Sequence, residues 1–257
     1  MHKRVASAIL AASLLAACGG CGQDGGETPP PGPPPGPPTA LSAQGLWTGT
    51  GGARQVTGLV LGDGRYYFFY GTSGTAAPSL AGVVQGTGAV DEQGRFRSND
   101  GLDFDAMGLG LTSVVVMSNS LGTRQFLQGF VMYPLAISFG FDLQYDPDFE
   151  ARPSLSAVAG TYAATAVTLQ GRDQATLVAS ATGALTASDA RGCQISGQLA
   201  PRSDGNVFDA SLLYGPSPCR LPGMAFSGVA YWRASSRTLW VTGVNSGRTQ
   251  ALSFVGS

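Results

Sequence analysis

Gln55-Val56-Thr57-Gly58-Leu59-Val60-Leu61-Gly62-Asp63-Gly64-Arg65-Tyr66-Tyr67-Phe68-Phe69-Tyr70 is the stretch from which the fold follows. Its arms are rich in β-branched and aromatic residues, and Asp63-Gly64 stands between Leu61 and Arg65, where a hairpin reverses. Two strands, 55–61 and 65–70, are therefore expected. The second arm is aromatic on both faces. One face packs on the core of its own sheet, so the other needs a second surface, either the rest of the chain or an external ligand or protein. The internal surface is the expectation, because a chain with two folded halves needs a contact between them.

Apolar residues alternate with period two in both directions from this hairpin. In the first half, further strands are expected at 47–51, 81–87, 102–109, 113–119, 125–133 and 135–145, with reversals at Asp91-Glu92-Gln93-Gly94 and Asn99-Asp100-Gly101. In the second half they are expected at 162–169, 175–180, 184–188, 193–200, 207–214, 225–233, 238–245 and 249–255, with a hairpin turn at Ser203-Asp204-Gly205-Asn206. Eight short strands per half predict an all-β fold of two consecutive antiparallel meanders, barrel-like or sandwich-like, since closure removes edges that would invite aggregation. The segment 135–145 carries Leu135, Ile137, Phe139, Phe141, Leu143 and Tyr145 on one side and is long enough to cross an outer membrane. Few other segments share that regularity, which argues against a membrane-spanning barrel.

The two halves begin alike. Leu41-Ser42-Ala43-Gln44-Gly45-Leu46-Trp47 is echoed by Leu155-Ser156-Ala157-Val158-Ala159-Gly160-Thr161-Tyr162, about 115 residues later with one residue of slack. A second echo, Asn119 to Gln125 with Asn245 to Gln250, has an offset of about 125, so a duplication requires insertions or deletions between them. Chance similarity of Gly/Ser/Thr-rich segments is the alternative.

Ahead of the β region, His2-Lys3-Arg4 leads an apolar run from Val5 to Leu15, the length of a signal-peptide core and short of the roughly 20 residues of a membrane-spanning helix. Leu15-Ala16-Ala17-Cys18 at its end resembles the lipobox of bacterial lipoproteins. The resemblance implies cleavage before Cys18, acylation of that cysteine with fatty acids such as palmitate, and a stable membrane anchor. Glycine rather than aspartate at position 19 is what the resemblance associates with the outer membrane. The expected organisation is signal peptide 1–17, lipidated cysteine and tether 18–44, first β half 45–145, linker 146–158 and second β half 159–257. Eight of the 16 prolines fall between Pro29 and Pro38, so this part of the tether favours polyproline II and acts as a stiff spacer of roughly 30 Å. Cys21 lies in the tether without an obvious partner. Cys193 and Cys219 are the only cysteines of the folded region, and a hairpin turning at Asp204-Gly205 brings the chain after Tyr214 back toward Cys193, so a disulfide between them is expected in an oxidising compartment.

Without residues 1–17 the chain has neither histidine nor lysine. This excludes Ser-His-Asp and Cys-His sites, HExxH zinc sites, Schiff-base lysines and Walker lysines. The remaining 13 arginines and 16 acidic residues give a net charge of −3, with no footprint for nucleic acid. Carboxylate chemistry is what remains. Asp100, Asp103 and Asp105 form one cluster, and Asp146, Asp148 and Glu150 another. On a strand Asp103 and Asp105 point the same way, as paired acids or hard-metal ligands do. The competing reading is solvated acids on a polar face. No cofactor or metal is implied.

Gly45-Leu46-Trp47 resembles the Gly-x-Trp opening of lipocalin-type barrels, in which the tryptophan closes one barrel end beneath an arginine of a late strand. The resemblance implies Trp47 with Arg124, and Tyr162 with Arg248, as barrel-end pairs; a core aromatic without a cation is the alternative. The anchor, spacer and β body together look like surface lipoproteins that bind host proteins, and like β-rich Gram-negative lipoproteins from which no activity carries over. The expectation is a binding or structural lipoprotein, not an enzyme, with an unknown protein or small apolar molecule as partner. A carboxylate-dependent hydrolase of envelope glycans and a carrier of a small apolar ligand are the alternatives.

Overall fold

The structure is a computed structural model that describes residues 42–72, 79–120 and 125–257. The signal peptide, Cys18, Cys21, the proline tether and Arg124 lie outside the described residues. The chain from Gly45 forms two closed antiparallel barrels within one compact unit.

The first barrel is built from β1 (Gly45–Gly51), β2 (Arg54–Val60), β3 (Arg65–Thr72), β4 (Ser79–Thr87), β5 (Ala89–Val90), β6 (Arg95–Asp105), β7 (Gly110–Ser120), β8 (Phe126–Met132) and β9 (Ser138–Tyr145). Successive strands pair, β4 pairs with β6, and β9 returns to β1, so eight strands make the ring while the two-residue β5 pairs with β6. A linker follows, with a 3-10 turn at Pro147–Glu150 and a one-turn helix, α1 (Leu155–Val158). The second barrel comprises β10 (Gly160–Thr168), β11 (Gly171–Ala179), β12 (Ala184–Asp189), β13 (Gln194–Pro201), β14 (Phe208–Tyr214), β15 (Ala225–Arg233), β16 (Thr238–Val244) and β17 (Ala251–Gly256), closed by β10 against β17.

Each ring has its own core. Large residues such as Phe208, Phe226, Phe254 and Leu239 interleave with Ala164, Ala179, Ala187, Ala210 and Ala230 in the second barrel, the alternation of sizes that fills a small barrel with side chains. In the first barrel Trp47, Tyr66, Phe68, Tyr70, Phe96 and Phe141 point inward. The alternate residues of the aromatic strand β3 do the opposite. Tyr67 and Phe69 leave the ring and join Leu46, Leu59, Leu80, Val83 and Phe104 against Val167, Val229, Tyr231 and Val255 of the second barrel. Phe69 meets Trp240 with ring centroids 5.5 Å apart. The second face of β3 thus packs on the other half of the chain.

Polar groups frame this apolar interface. Arg202 binds Asp204 and Asp209 at 2.8 and 3.0 Å, and Arg65, which pairs with Asp63 at 2.8 Å, stands 3.8 Å from the same Asp209. At another edge Arg172 donates to the Leu80 carbonyl. Asp146 of the linker accepts from Arg233 at 2.5 Å, and Asp148 accepts from Tyr231 at 3.3 Å. Asp146 and Asp148 therefore dock the linker on the second barrel, whereas Glu150 accepts from the Tyr145 hydroxyl of β9.

Several boundaries differ from the sequence expectation. Asn99-Asp100-Gly101 is no reversal; it lies within β6, where the register against β7 shifts between Ser98 and Gly101. Residues that favour turns here make an irregularity that bends a strand. The expected strand 102–109 ends at Asp105, and the chain turns at 106–109. The expected strand 135–145 is shorter, since Pro134–Ala136 forms a 3-10 turn and β9 starts at Ser138. Pro134 cannot donate to a ladder, and Leu135 takes a left-handed backbone with φ of 67°.

Candidate functional site

Two hairpin ends, at 51–54 and at 133–139, bound the open mouth of the first barrel. Between them lies a cavity of about 240 Å³ lined chiefly by Val56, Phe68, Tyr70, Val84, Val131, Tyr133, Phe139 and Phe141. The walls are apolar because the inward positions of β2, β3, β8 and β9 near this end carry aliphatic or aromatic residues. Among the described residues that line it Arg54 is the one charged side chain, with its guanidinium 4.7 Å from the Tyr70 ring centroid.

Beside the cavity sits a fully buried carboxylate. Asp103 Oδ1 accepts the Tyr70 hydroxyl and Asp103 Oδ2 the Tyr133 hydroxyl, both at 2.6 Å. Burial pushes the Asp103 carboxyl up to about 6, against the two hydrogen bonds that lower it, and the neighbouring Asp105 charge adds to the rise. Burial together with the Asp103 charge raises the hydroxyls of Tyr70 and Tyr133 above the ordinary tyrosine range. Gly82, opposite Asp105 on β4, makes room for this arrangement: a Cβ there would come within 2.3 Å of the Tyr70 hydroxyl. Both hydroxyls are committed to Asp103, while Arg54 places a guanidinium at the rim.

The sequence-predicted acids separate. Asp103 and Asp105 do share a face, as their spacing requires, but that face is the barrel interior, so the reading of solvated acids does not hold for either. Asp105 accepts the Met107 amide at 2.7 Å and stands 3.9 Å from Arg54. Asp100 lies elsewhere, accepting from Ser98 Oγ at 3.0 Å and Thr87 N at 2.8 Å. With both oxygens of Asp103 occupied, no open acid pair faces a cleft here. Among the described residues no group of three or more His, Cys, Asp or Glu side chains is placed to hold a metal.

Trp47 is buried at the opposite end of the first barrel from the mouth. Its Nε1 donates to the Ala43 carbonyl at 2.9 Å, and its ring meets Tyr145 edge-on at 5.4 Å. Its expected partner Arg124 is outside the described residues. The pairing of Tyr162 with Arg248 is not what the chain does. Ala164, two residues after Tyr162, pairs with Gly256 at the far end of β17, whereas Arg248 precedes Ala251 in the turn that begins that strand. Arg248 instead crosses to the first barrel, where it binds Gln85 and Asp100. Cys193 and Cys219 are joined, with Cα atoms 4.5 Å apart beside the Ile195–Tyr214 register of β13 and β14.

The cup is not legible in the sequence because its lining residues also read as ordinary core positions. The signal that exists is β9, whose apolar face runs past the end of β1. No protein-family model matches the chain, and no curated protein matches it.

Proposed function

We propose that this chain is a binding lipoprotein, anchored through Cys18 at the outer membrane, whose first barrel takes a small, largely apolar molecule at its open mouth. The observation that carries the reading is the cavity itself: an apolar cup with few, fixed polar groups is the usual form of a small-molecule site. The second barrel, filled by its own side chains, serves as the rigid support. A hydrolase reading gains nothing from the geometry, because Asp103 is enclosed by two tyrosines and Asp105 by Arg54 and a backbone amide.

The test is displacement of a neutral naphthylamine fluorophore, with native mass spectrometry of the purified protein to catch a retained ligand. Val56→Phe, which fills the cup, is expected to weaken fluorophore binding about tenfold or more while leaving the melting profile near that of the parent. Equal binding by the filled variant would end the reading. Membrane fractionation of Cys18→Ser tests the anchor separately, and a variant that stays with the membrane through washing would remove it.

A further inference from the structure

The geometry points to a membrane-contacting lip on the first barrel, formed by the ends of the β6–β7 and β8–β9 hairpins, that inserts into the apolar region of a lipid bilayer. The lip borders the cup and shares Phe139 with its wall, but its other exposed apolar residues do not line the cup, and it acts whatever molecule the cup takes.

Ten large apolar residues are exposed among the described residues, and six of them, Met107, Leu109, Leu111, Leu135, Ile137 and Phe139, stand at the ends of these two hairpins. The hairpins are neighbours, since β7 pairs with β8. They also project. The last pair of β1 with β9 is Gly51 with Phe141, so Gly140, Phe139 and Ser138 carry β9 beyond the last paired residue of β1, three residues or about 10 Å in all. On β7 the last pair with β8 is Val115 with Met132, and the strand continues outward from there to Gly110.

Leu135 marks the tip. It is 93% exposed and adopts φ of 67°, a conformation that costs a leucine energy and that here turns an apolar side chain to the outside. From Ala106 to Phe141 the sequence holds a single charged residue, Arg124. The turns at the other end of the same barrel carry Asp63, Asp91 and Glu92. The lip itself is thus uncharged at its surface, with Arg54 on the neighbouring β1–β2 turn, whereas the other end of the barrel carries exposed acids. A protein partner would use polar and charged groups around the contact to fix its register, and the lip offers the exposed hydroxyls of Ser113 and Ser138 but no charged side chain. A bilayer needs none. With the tip 5–10 Å into the acyl boundary, the usual depth of interfacial segments, Arg54 on the set-back β1–β2 turn lies at the level of the headgroup phosphates.

The test uses the mature chain with Cys18→Ser, so that no acyl group contributes, floated with vesicles of phosphatidylcholine and, in parallel, of phosphatidylethanolamine with phosphatidylglycerol. Flotation with both, undiminished by high salt, is expected, because the contact is apolar. Leu135→Asp combined with Ile137→Asp should lower the floated fraction at least about tenfold, whereas Leu213→Asp on the second barrel should not change it. A Leu135→Trp variant should show a blue-shifted emission on vesicles and not in buffer. Absence of flotation, flotation unchanged by the double aspartate variant, or an unshifted Leu135→Trp emission would overturn the inference. So would a wild-type dimer that Leu135→Asp dissociates without any vesicle binding, since the lip would then join two copies of this chain.

Discussion

The hydroxyl of Tyr70 donates to Asp103 Oδ1 at 2.6 Å inside the first barrel, directly beside the apolar cup. With Tyr133 on the other oxygen, the pair fixes two of the rings that line the cavity. It also makes the fold sensitive to pH. The Asp103 carboxyl titrates near 6 in the folded chain and near 3.8 as a free group, so the folded state holds this proton more tightly. Its contribution therefore lowers stability as pH rises from about 4 to about 6, and above that the buried charge costs the fold on the order of 3 kcal/mol. Asp103→Asn keeps the shape and removes the charge. Urea unfolding of both proteins across this range is expected to show the variant gaining about 1–3 kcal/mol on the parent at pH 8 and nothing at pH 4. A variant less stable than the parent at pH 8 would mean that the two tyrosines need a carboxylate.

The bridge between Cys193 and Cys219 closes a loop with a sequence separation of 26. A closure of that length stabilises a fold by about 3.5 kcal/mol through the entropy of the unfolded chain. Replacing both cysteines by alanine is expected to cost about that much, read as a lower urea midpoint. Neither thiol should react with an alkylating agent in the native, unreduced protein. Modification of both would contradict the bridge.

The ring strands of both barrels are legible from period-two alternation, because one face of each is buried and the other meets water or the partner barrel. The matched openings of the halves have a structural meaning. Trp47 donates to the carbonyl of Ala43, and Tyr162 donates to that of Val158, each four residues back and each at the start of a barrel. The second echo does not, since Asn119 leads into the β7–β8 connection and Asn245 into the β16–β17 turn, the sixth connection of one meander and the seventh of the other when β5 is set aside. That accounts for the two offsets. What escapes the sequence depends on tertiary placement. The spacing of Asp103 and Asp105 implies a common face, but nothing local says that the face is enclosed. Arg248 reads as a late-strand arginine of its own barrel, and only the packing of the halves reveals that it reaches across.

That reach couples the two barrels. Arg248 donates to Gln85 Oε1 at 2.9 Å, to the Gln85 carbonyl at 3.1 Å and to the Asp100 carbonyl at 2.7 Å, with Asp100 Oδ2 at 3.3 Å. Gln85 is buried, so its side-chain oxygen loses this donor if the arginine is removed, and Arg248→Ala should cost about 2 kcal/mol. Phe69 anchors the apolar part of the same contact, and Phe69→Ala should cost about 3–5 kcal/mol. Because the shared cluster is comparable in size to each barrel's own core, the parent protein is expected to melt in one calorimetric transition. Weakening the contact by both substitutions removes the coupling without touching either interior, and the melt should then separate into two transitions. Two transitions in the parent, or one in the double variant, would show that the barrels do not depend on this contact to unfold together.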